Sequence, residues 1–293
     1  MSKPIISICI PTFNREIYLK QCLNSILCQL NSNDLIKTVE IIVVDNNSKD
    51  KTENLVNSFR VKYKNLLYFN SKKNIPLAKG VINVGKYAKG KYIWFCSDDD
   101  IHYQGSIKIM INILKKHSPE VIYCNLDEYS KNMENILHRN SFEMQKDIYV
   151  HGRRDFFNFL NGKFFYAIDW FTTYYSNLVL SKEIFNLSYG LSKKYNSKFD
   201  LFPQSSAIFY SKRELDIYII SKPLIKYRGS NLSWGPKQKK DFHRFISDMH
   251  NNQYSHIIES NSDVISLSFK IRLQAKKIIK YIRMYILLPL FNY

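Results

Sequence analysis

Apolar residues in the first half of the chain come in short unbroken blocks, and between the blocks they recur every three or four positions. Residues 5–10 (Ile-Ile-Ser-Ile-Cys-Ile), 39–44 (Val-Glu-Ile-Ile-Val-Val), 66–69, 92–96 and 121–124 read as strands buried on both faces. Ile17, Leu19, Leu23, Ile26, Leu27 and Leu30 line one face of a helix over 16–30. Further helices are predicted over 52–63, with Ser48 or Asp50 as cap, over 75–88, ended by Gly90, and over 106–116. Strand and helix alternate at the spacing of βαβ units. This predicts an α/β fold with a mostly parallel central sheet and helices on both faces.

The second half is less regular. Residues 156–165 and 205–210 have helical character, 168–175 are rich in aromatic residues, and 215–220 read as a strand. Gly229 to Gly235 form a turn-rich loop, and 238–263 are polar, predicting a helix and a linker. In 264–288, Arg272, Lys276, Lys280 and Arg283 share one helical face, while Ile271, Ala275, Ile278, Ile282 and Tyr285 share another. A basic amphipathic helix with an apolar, aromatic end predicts an interfacial anchor on an anionic membrane surface. The alternative is a terminal helix packed on its own domain or on a second subunit.

Composition narrows the picture. The 293 residues and 45% hydrophobic content suffice for one large domain with additions, and they exclude a disordered chain. The net charge of +18 favours an anionic partner. The lysines are spread along the whole length without a nucleic-acid-binding signature, so nucleic acid is not the expected partner. Five cysteines, Cys9, Cys22, Cys28, Cys96 and Cys124, include no C-x-x-C pair. They point to a reducing cytoplasm and away from a disulfide framework or a zinc site. The apolar run ending at Ile10 is too short for a secretory leader, and no run reaches the length of a transmembrane span.

The candidate chemistry lies at the strand ends. Thr12-Phe13-Asn14 follows the first strand, Asp45 ends the second, and Ser97-Asp98-Asp99-Asp100 follows the strand at 92–96. In parallel sheets ligands bind beyond the carboxyl ends of the strands. Three adjacent carboxylates repel one another, which suits a hard divalent cation or a hydroxyl-rich ligand better than a bare turn. Asp45 and Asn14 are equally suited to helix capping.

The three ordered motifs, Ile8-Cys9-Ile10-Pro11-Thr12-Phe13-Asn14-Arg15, Glu40 to Ser48 and Ser97-Asp98-Asp99-Asp100, resemble those of the family 2 glycosyltransferases. The resemblance is specific over roughly the first 125 residues. From Phe199-Asp200 to the Ser-Trp loop it extends to bacterial surface-polysaccharide members, the abequosyltransferase-like branch among them.

It implies a GT-A fold over residues 1–237, with a nucleotide-binding half (1–125), an acceptor half (126–237) and a helical C-terminal extension (238–293). It implies inverting sugar transfer from a nucleotide-sugar to a glycan or lipid-linked glycan in polysaccharide synthesis, with Mg2+ or Mn2+. The enzyme would sit in the cytoplasm, at the inner face of the membrane. By resemblance Pro11, Thr12, Phe13 and Asn14 line the nucleoside, Asp45 meets the nucleobase, and Asp98, Asp99 and Asp100 share ribose, metal and diphosphate. Many relatives have Asp where this chain has Ser97, so the paired carboxylates are either Asp98 with Asp100, or Ser97 stands in beside Asp99.

Inverting transfer needs a general base. Asp200 is the best match by position, and Asp169, beside Trp170, is its rival. Arg228 and Trp234 are candidates for closing over the diphosphate. His151, Arg153 and Arg154 form a basic cluster that could face a lipid phosphate or simply be a solvated turn. Two other classes compete. A nucleotidyltransferase would need a Gly-rich, basic first loop, which Pro11-Thr12-Phe13-Asn14 is not. A non-enzymatic protein that binds nucleic acid or membrane would rest on charge alone.

Overall fold

The structure, a computed structural model, describes residues 3–30, 32–75, 77–162, 164–194, 203–229 and 253–282. Its strands are β1 (Ile6–Thr12), β2 (Val39–Asp45), β3 (Leu66–Asn70), β4 (Tyr92–Phe95), β5 (Ile101–His102), β6 (Val121–Tyr129), β7 (Ile136–His138), β8 (Ile148–His151), β9 (Leu178–Ser181) and β10 (Asp216–Arg228). They form one sheet in the order β3-β2-β1-β4-β9-β6-β10-β5, with β7 paired to β6 and β8 to β10. The pairs β3/β2, β2/β1, β1/β4 and β6/β10 are parallel. The expected parallel sheet is therefore found in the first half. The second half is mixed, because β9 runs antiparallel to both β4 and β6.

The helices are α1 (Glu16–Leu27), α2 (Asn33–Thr38), α3 (Thr52–Lys62), α4 (Leu77–Tyr87), α5 (Ser106–His117), α6 (Gly152–Asn161), α7 (Ile168–Thr173), α8 (Lys182–Lys194) and α9 (Ser206–Tyr210). Residues 253–260 form α10 and Leu267–Ile282 α11. Two apolar cores lie on opposite faces of the sheet. One joins α1 and α5 to Ile8, Ile41, Trp94 and Ile122. The other joins α4, α6 and α8 to Cys9, Ile42, Phe95 and Tyr123. Strands buried on both faces read as continuous apolar runs, which is why the first half was legible.

Away from the strand C-termini, Glu40 locks the start of the sheet. One of its carboxylate oxygens accepts from Ser7 Oγ at 2.5 Å and from the backbone N–H groups of Lys89 and Gly90 at 2.5 and 3.0 Å. The cysteines are all unpaired thiols, buried except for Cys28.

The C-terminal segment packs into the domain. Tyr254, Ile257, Phe269 and Leu273 join the core that holds Phe156, Phe157 and Phe209. Arg153 is the buried fastener: its guanidinium donates to Asn261 Oδ1 at 2.9 Å and reaches Asp263 at 3.4 Å. It is thus not part of a solvated turn. On α11 two basic side chains reach back to the domain, Arg272 lying 4.0 Å over the Phe165 ring and Lys276 pairing with Asp169 at 3.3 Å. The outward side is apolar: Leu267 is 73% exposed, Ile271 59% and Ile278 58%. No helix among the described residues is long and apolar enough to cross a membrane.

Candidate active site

Three strand ends converge as predicted. The chain leaves β1 at Thr12 and turns through Asn14, which takes a left-handed φ of 51°. The side chain of Asn14 does not cap α1. Its Oδ1 accepts from Lys49 N at 2.6 Å, and its backbone N–H donates to Ser48 Oγ at 2.7 Å. Asp50 serves the helix starts instead, accepting from Glu16 N at 3.0 Å and from Thr52 N at 3.1 Å. Asn46 N donates to Thr12 O at 2.8 Å, so the loops after β1 and β2 are zipped together. Pro11 is half-buried, and Phe13 stands 38% exposed at this edge.

Asp45 is 1% exposed. Its Oδ1 accepts from Ser48 N and Oγ at 2.9 and 2.6 Å, and its Oδ2 accepts from the Tyr68 hydroxyl at 2.7 Å. It holds the loop after β2 and shares an oxygen with an aromatic hydroxyl.

The acidic turn divides its labour. Asp100, 1% exposed, accepts from the hydroxyls of Tyr174 and Ser176, both at 2.5 Å, and from Arg228 N at 3.0 Å. Ser176 Oγ also accepts from Ser97 N at 2.8 Å, tying both ends of the turn to one hydroxyl. Asp98 accepts from Thr12 Oγ1 at 2.7 Å through Oδ2, and Asp99 accepts from Ser97 Oγ at 2.5 Å through Oδ1. Their other oxygens meet Arg15: Asp98 Oδ1 lies 3.3 Å from Nε, and Asp99 Oδ2 lies 2.5 Å from Nη2. Asp99 is the most exposed of the three, at 8%. Burial pushes the Asp98 and Asp100 carboxyls well above the usual range; at Asp98 the Arg15 guanidinium pulls the other way, and the Asp99 charge raises both.

Arg228 is buried, and its guanidinium serves as a strut. Nε donates to Asp99 O at 2.9 Å, Nη1 to Lys131 O at 2.7 Å and Nη2 to Gln21 Oε1 at 2.5 Å. Both Arg15 and Arg228 lie over the Tyr18 ring, 4.9 and 5.0 Å from its centroid. Trp170, Tyr174 and Tyr227 pack edge to face beside Asp100, with centroids 5.0 to 5.4 Å apart. Asp169 accepts from the Tyr254 hydroxyl and pairs with Lys276 of α11. Asp200 and Trp234 lie outside the described residues.

Reading the sequence missed the roles of Arg15, Tyr18, Tyr174 and Ser176. Arg15 stood in a quoted motif and Tyr174 in an aromatic cluster. Nothing local, however, links Tyr174 or Ser176 to a turn more than seventy residues earlier.

The model of the family described as glycosyl transferase family 2 matches residues 7–186. An abequosyltransferase of Salmonella typhimurium is 29% identical over 247 residues, spanning 80% of this chain and 70% of that protein. An uncharacterized glycosyltransferase of Rickettsia prowazekii is 35% identical over 126 residues; the match spans 42% of this chain and only 37% of the Rickettsia protein. Among solved structures, residues 1–349 of S. aureus TarS in complex with UDP-GlcNAc share the fold, with a TM-score of 0.64 at 18% identity over 95% of this chain and 72% of that one. A mannosyltransferase from Pyrobaculum calidifontis, in complex with GDP-Man and Mn2+, has a TM-score of 0.55 at 15% identity, covering 97% of this chain and 71% of that one. With that family match running through the strand ends that carry Thr12, Asp45 and Asp98 to Asp100, this chain belongs to glycosyl transferase family 2.

Proposed function

We propose that the chain is a metal-dependent, inverting glycosyltransferase that moves a sugar from a nucleoside-diphosphate donor to a hydroxyl of a lipid-linked glycan in surface-polysaccharide synthesis. The observation that carries this reading is the junction of Thr12 with Asp98 at 2.7 Å, which fuses the loop after β1 to the acidic turn after β4. The UDP-GlcNAc bound in the S. aureus structure supports a nucleotide-sugar donor, and the abequosyltransferase name of the Salmonella relative supports sugar transfer.

The metal reading fits the donor set. Among the described residues no three His, Cys, Asp or Glu side chains converge as an all-protein cage. Asp98 and Asp99 instead offer two hard carboxylates, which suits Mg2+ or Mn2+ completed by phosphate and water oxygens. Such a cation, when bound, offsets the charge that grows on the leaving diphosphate. Asp100 is the scaffold beneath them, since its oxygens already accept three internal donors.

Around that corner, Pro11, Thr12, Phe13 and Asn14 form the nucleoside edge. The Tyr68–Asp45 pair would read the base. Arg228 supports the turn from below, and Trp234 remains a candidate for closing over the diphosphate. The base that takes the acceptor proton, as the hydroxyl oxygen attacks the anomeric carbon and the bond to phosphate breaks, is assigned to Asp200. The engagement of Asp169 with Lys276 and Tyr254 supports that choice over its rival.

The outward apolar stripe of α11 and the net charge of +18 support peripheral attachment to an anionic membrane. Ile271→Glu with Ile278→Glu should release the protein from vesicles of phosphatidylglycerol and phosphatidylethanolamine in flotation; unchanged flotation would reject the contact.

A panel of nucleotide-sugars with Mn2+, scored by donor hydrolysis and thermal stabilisation, tests the donor reading. Hydrolysis of none of them, with no stabilisation, would refute it. Asp200→Asn should stop transfer while sparing donor binding in calorimetry. If transfer persists there and is lost in Asp169→Asn, the base is Asp169.

A further inference from the structure

Arg15 and an incoming divalent cation want the same two oxygens. Asp98 Oδ2 is taken by Thr12 and Asp99 Oδ1 by Ser97. The other oxygens of the two carboxylates, Asp98 Oδ1 and Asp99 Oδ2, both face the Arg15 guanidinium. A cation bound to Asp99 Oδ2 would sit against a positive group 2.5 Å from that oxygen.

The Arg15 contact is also incomplete. Its Nε is buried, yet it makes no hydrogen bond, because at 3.3 Å from Asp98 Oδ1 the geometry is wrong for one. Arg228 is not in this position, since its three nitrogens are spent on Asp99 O, Lys131 O and Gln21. Arg15 sits at the N-cap of α1, just past the left-handed turn at Asn14, on a long side chain whose other contact is the face of Tyr18.

From this geometry we propose, building on the metal reading above, that Arg15 is an internal counter-ion that guards the acidic turn and is drawn off by the donor diphosphate. Cation and nucleotide then bind as a pair. Charge balance is the physical reason. At the Asp98 and Asp99 contacts the guanidinium of Arg15 offsets part of the carboxylate charge. A divalent cation alone would raise the charge by two and press against Arg15. A diphosphate alone would lower it by two. Together they add nothing, and the diphosphate gives Arg15 a bidentate anion in exchange for the carboxylates it releases. Arg15 is thus a positioning residue whose effect is read in binding, and reciprocity requires each ligand to tighten the other by the same factor.

The test is Mn2+ binding to the full chain, followed by electron paramagnetic resonance of the free ion, with UDP, GDP, CDP or no nucleotide. Protein-free blanks correct for chelation. In the wild-type protein a matching nucleoside diphosphate should tighten Mn2+ by about tenfold or more. Arg15→Met should bind Mn2+ alone about tenfold more tightly than wild type and lose most of the nucleotide's effect. Arg15→Lys, which keeps the charge but not the fork, should restore part of it. Thermal unfolding of each variant shows that the fold is retained. Unchanged or weaker Mn2+ binding by folded Arg15→Met overturns the counter-ion role while leaving the metal site standing. If wild type binds no Mn2+ with any of the three nucleotides, the metal reading itself falls, and this inference with it.

Discussion

The hydroxyl of Tyr174 donates to Asp100 Oδ2 at 2.5 Å across 74 positions of sequence. That contact separates the acidic turn into a scaffold and a working part, because three internal donors saturate Asp100 while Asp99, the most exposed of the three, is held by Ser97 and Arg15. Asp100→Asn should cost about 1–3 kcal/mol in urea unfolding, since an amide nitrogen must then meet a donor. Asp99→Asn should keep stability within about 1 kcal/mol of wild type and abolish metal-dependent donor turnover. Full turnover in Asp99→Asn, or a larger stability loss there than at Asp100, would reverse the assignment.

Gly90 separates close packing from mere glycine flexibility. A Cβ there would lie 2.6 Å from Ser7 Oγ and 2.7 Å from Ser7 N. Gly90→Ala must push β1 away and break the Glu40 lock, at a cost of about 1–3 kcal/mol. In α4, Gly80 has nothing within 4 Å of such an atom. Gly80→Ala should therefore stabilise by about 0.5–1 kcal/mol. Melting temperatures of the two variants should move in opposite directions.

Arg153 holds the C-terminal segment through Asn261 and Asp263. Arg153→Met keeps the bulk and loses the donors, so it should cost about 1–3 kcal/mol. Limited proteolysis should then cut near residues 260–264 earlier than in wild type. Equal cleavage rates would show that the apolar contacts of Phe269 and Leu273 hold the segment unaided.

His102 lies under the acidic turn, where burial alone lowers its pKa to about 3. It stays neutral in the folded state, whereas an unfolded chain protonates it near the ordinary value of about 6.5. The unfolded state therefore binds the extra proton between these values, and stability falls as pH drops through that window, by up to about 1.4 kcal/mol per pH unit. Buried Asp98 and Asp100 have raised pKa values and give the opposite slope over part of the same range. The difference between wild type and His102→Gln in urea midpoint across pH 7 to 4.5 isolates the imidazole. Parallel profiles would reject its contribution.

Much of the first half was legible because apolar runs flanked by polar strand ends mark a buried parallel strand and its C-terminal edge together. The position of Ser97 to Asp100 could be read in this way. Its division of roles could not, since Tyr174, Ser176 and Arg228 come from distant elements. Strand β10 was read only to Ile220, yet it runs to Arg228: shifts in register on either side of Pro223 absorb the missing N–H. Strand β9 was missed because four residues after Ser176-Asn177 carry no periodic signal. Arg153 looked solvated because its partners lie more than a hundred residues away.

The seat of β9 has a consequence for how the molecule assembles. Until Leu178 to Ser181 arrive between β4 and β6, both of those strands keep a bare edge in the middle of the sheet. A chain cut after residue 125 would own all three strand-end motifs and still leave β4 bare on one edge and β6 unpaired on both, the kind of edges that invite association between copies. The first 125 residues should thus come out of the ribosome as a waiting template rather than a finished domain, with β4 closed only once Ser181 has followed and β6 only once β10 has reached Arg228.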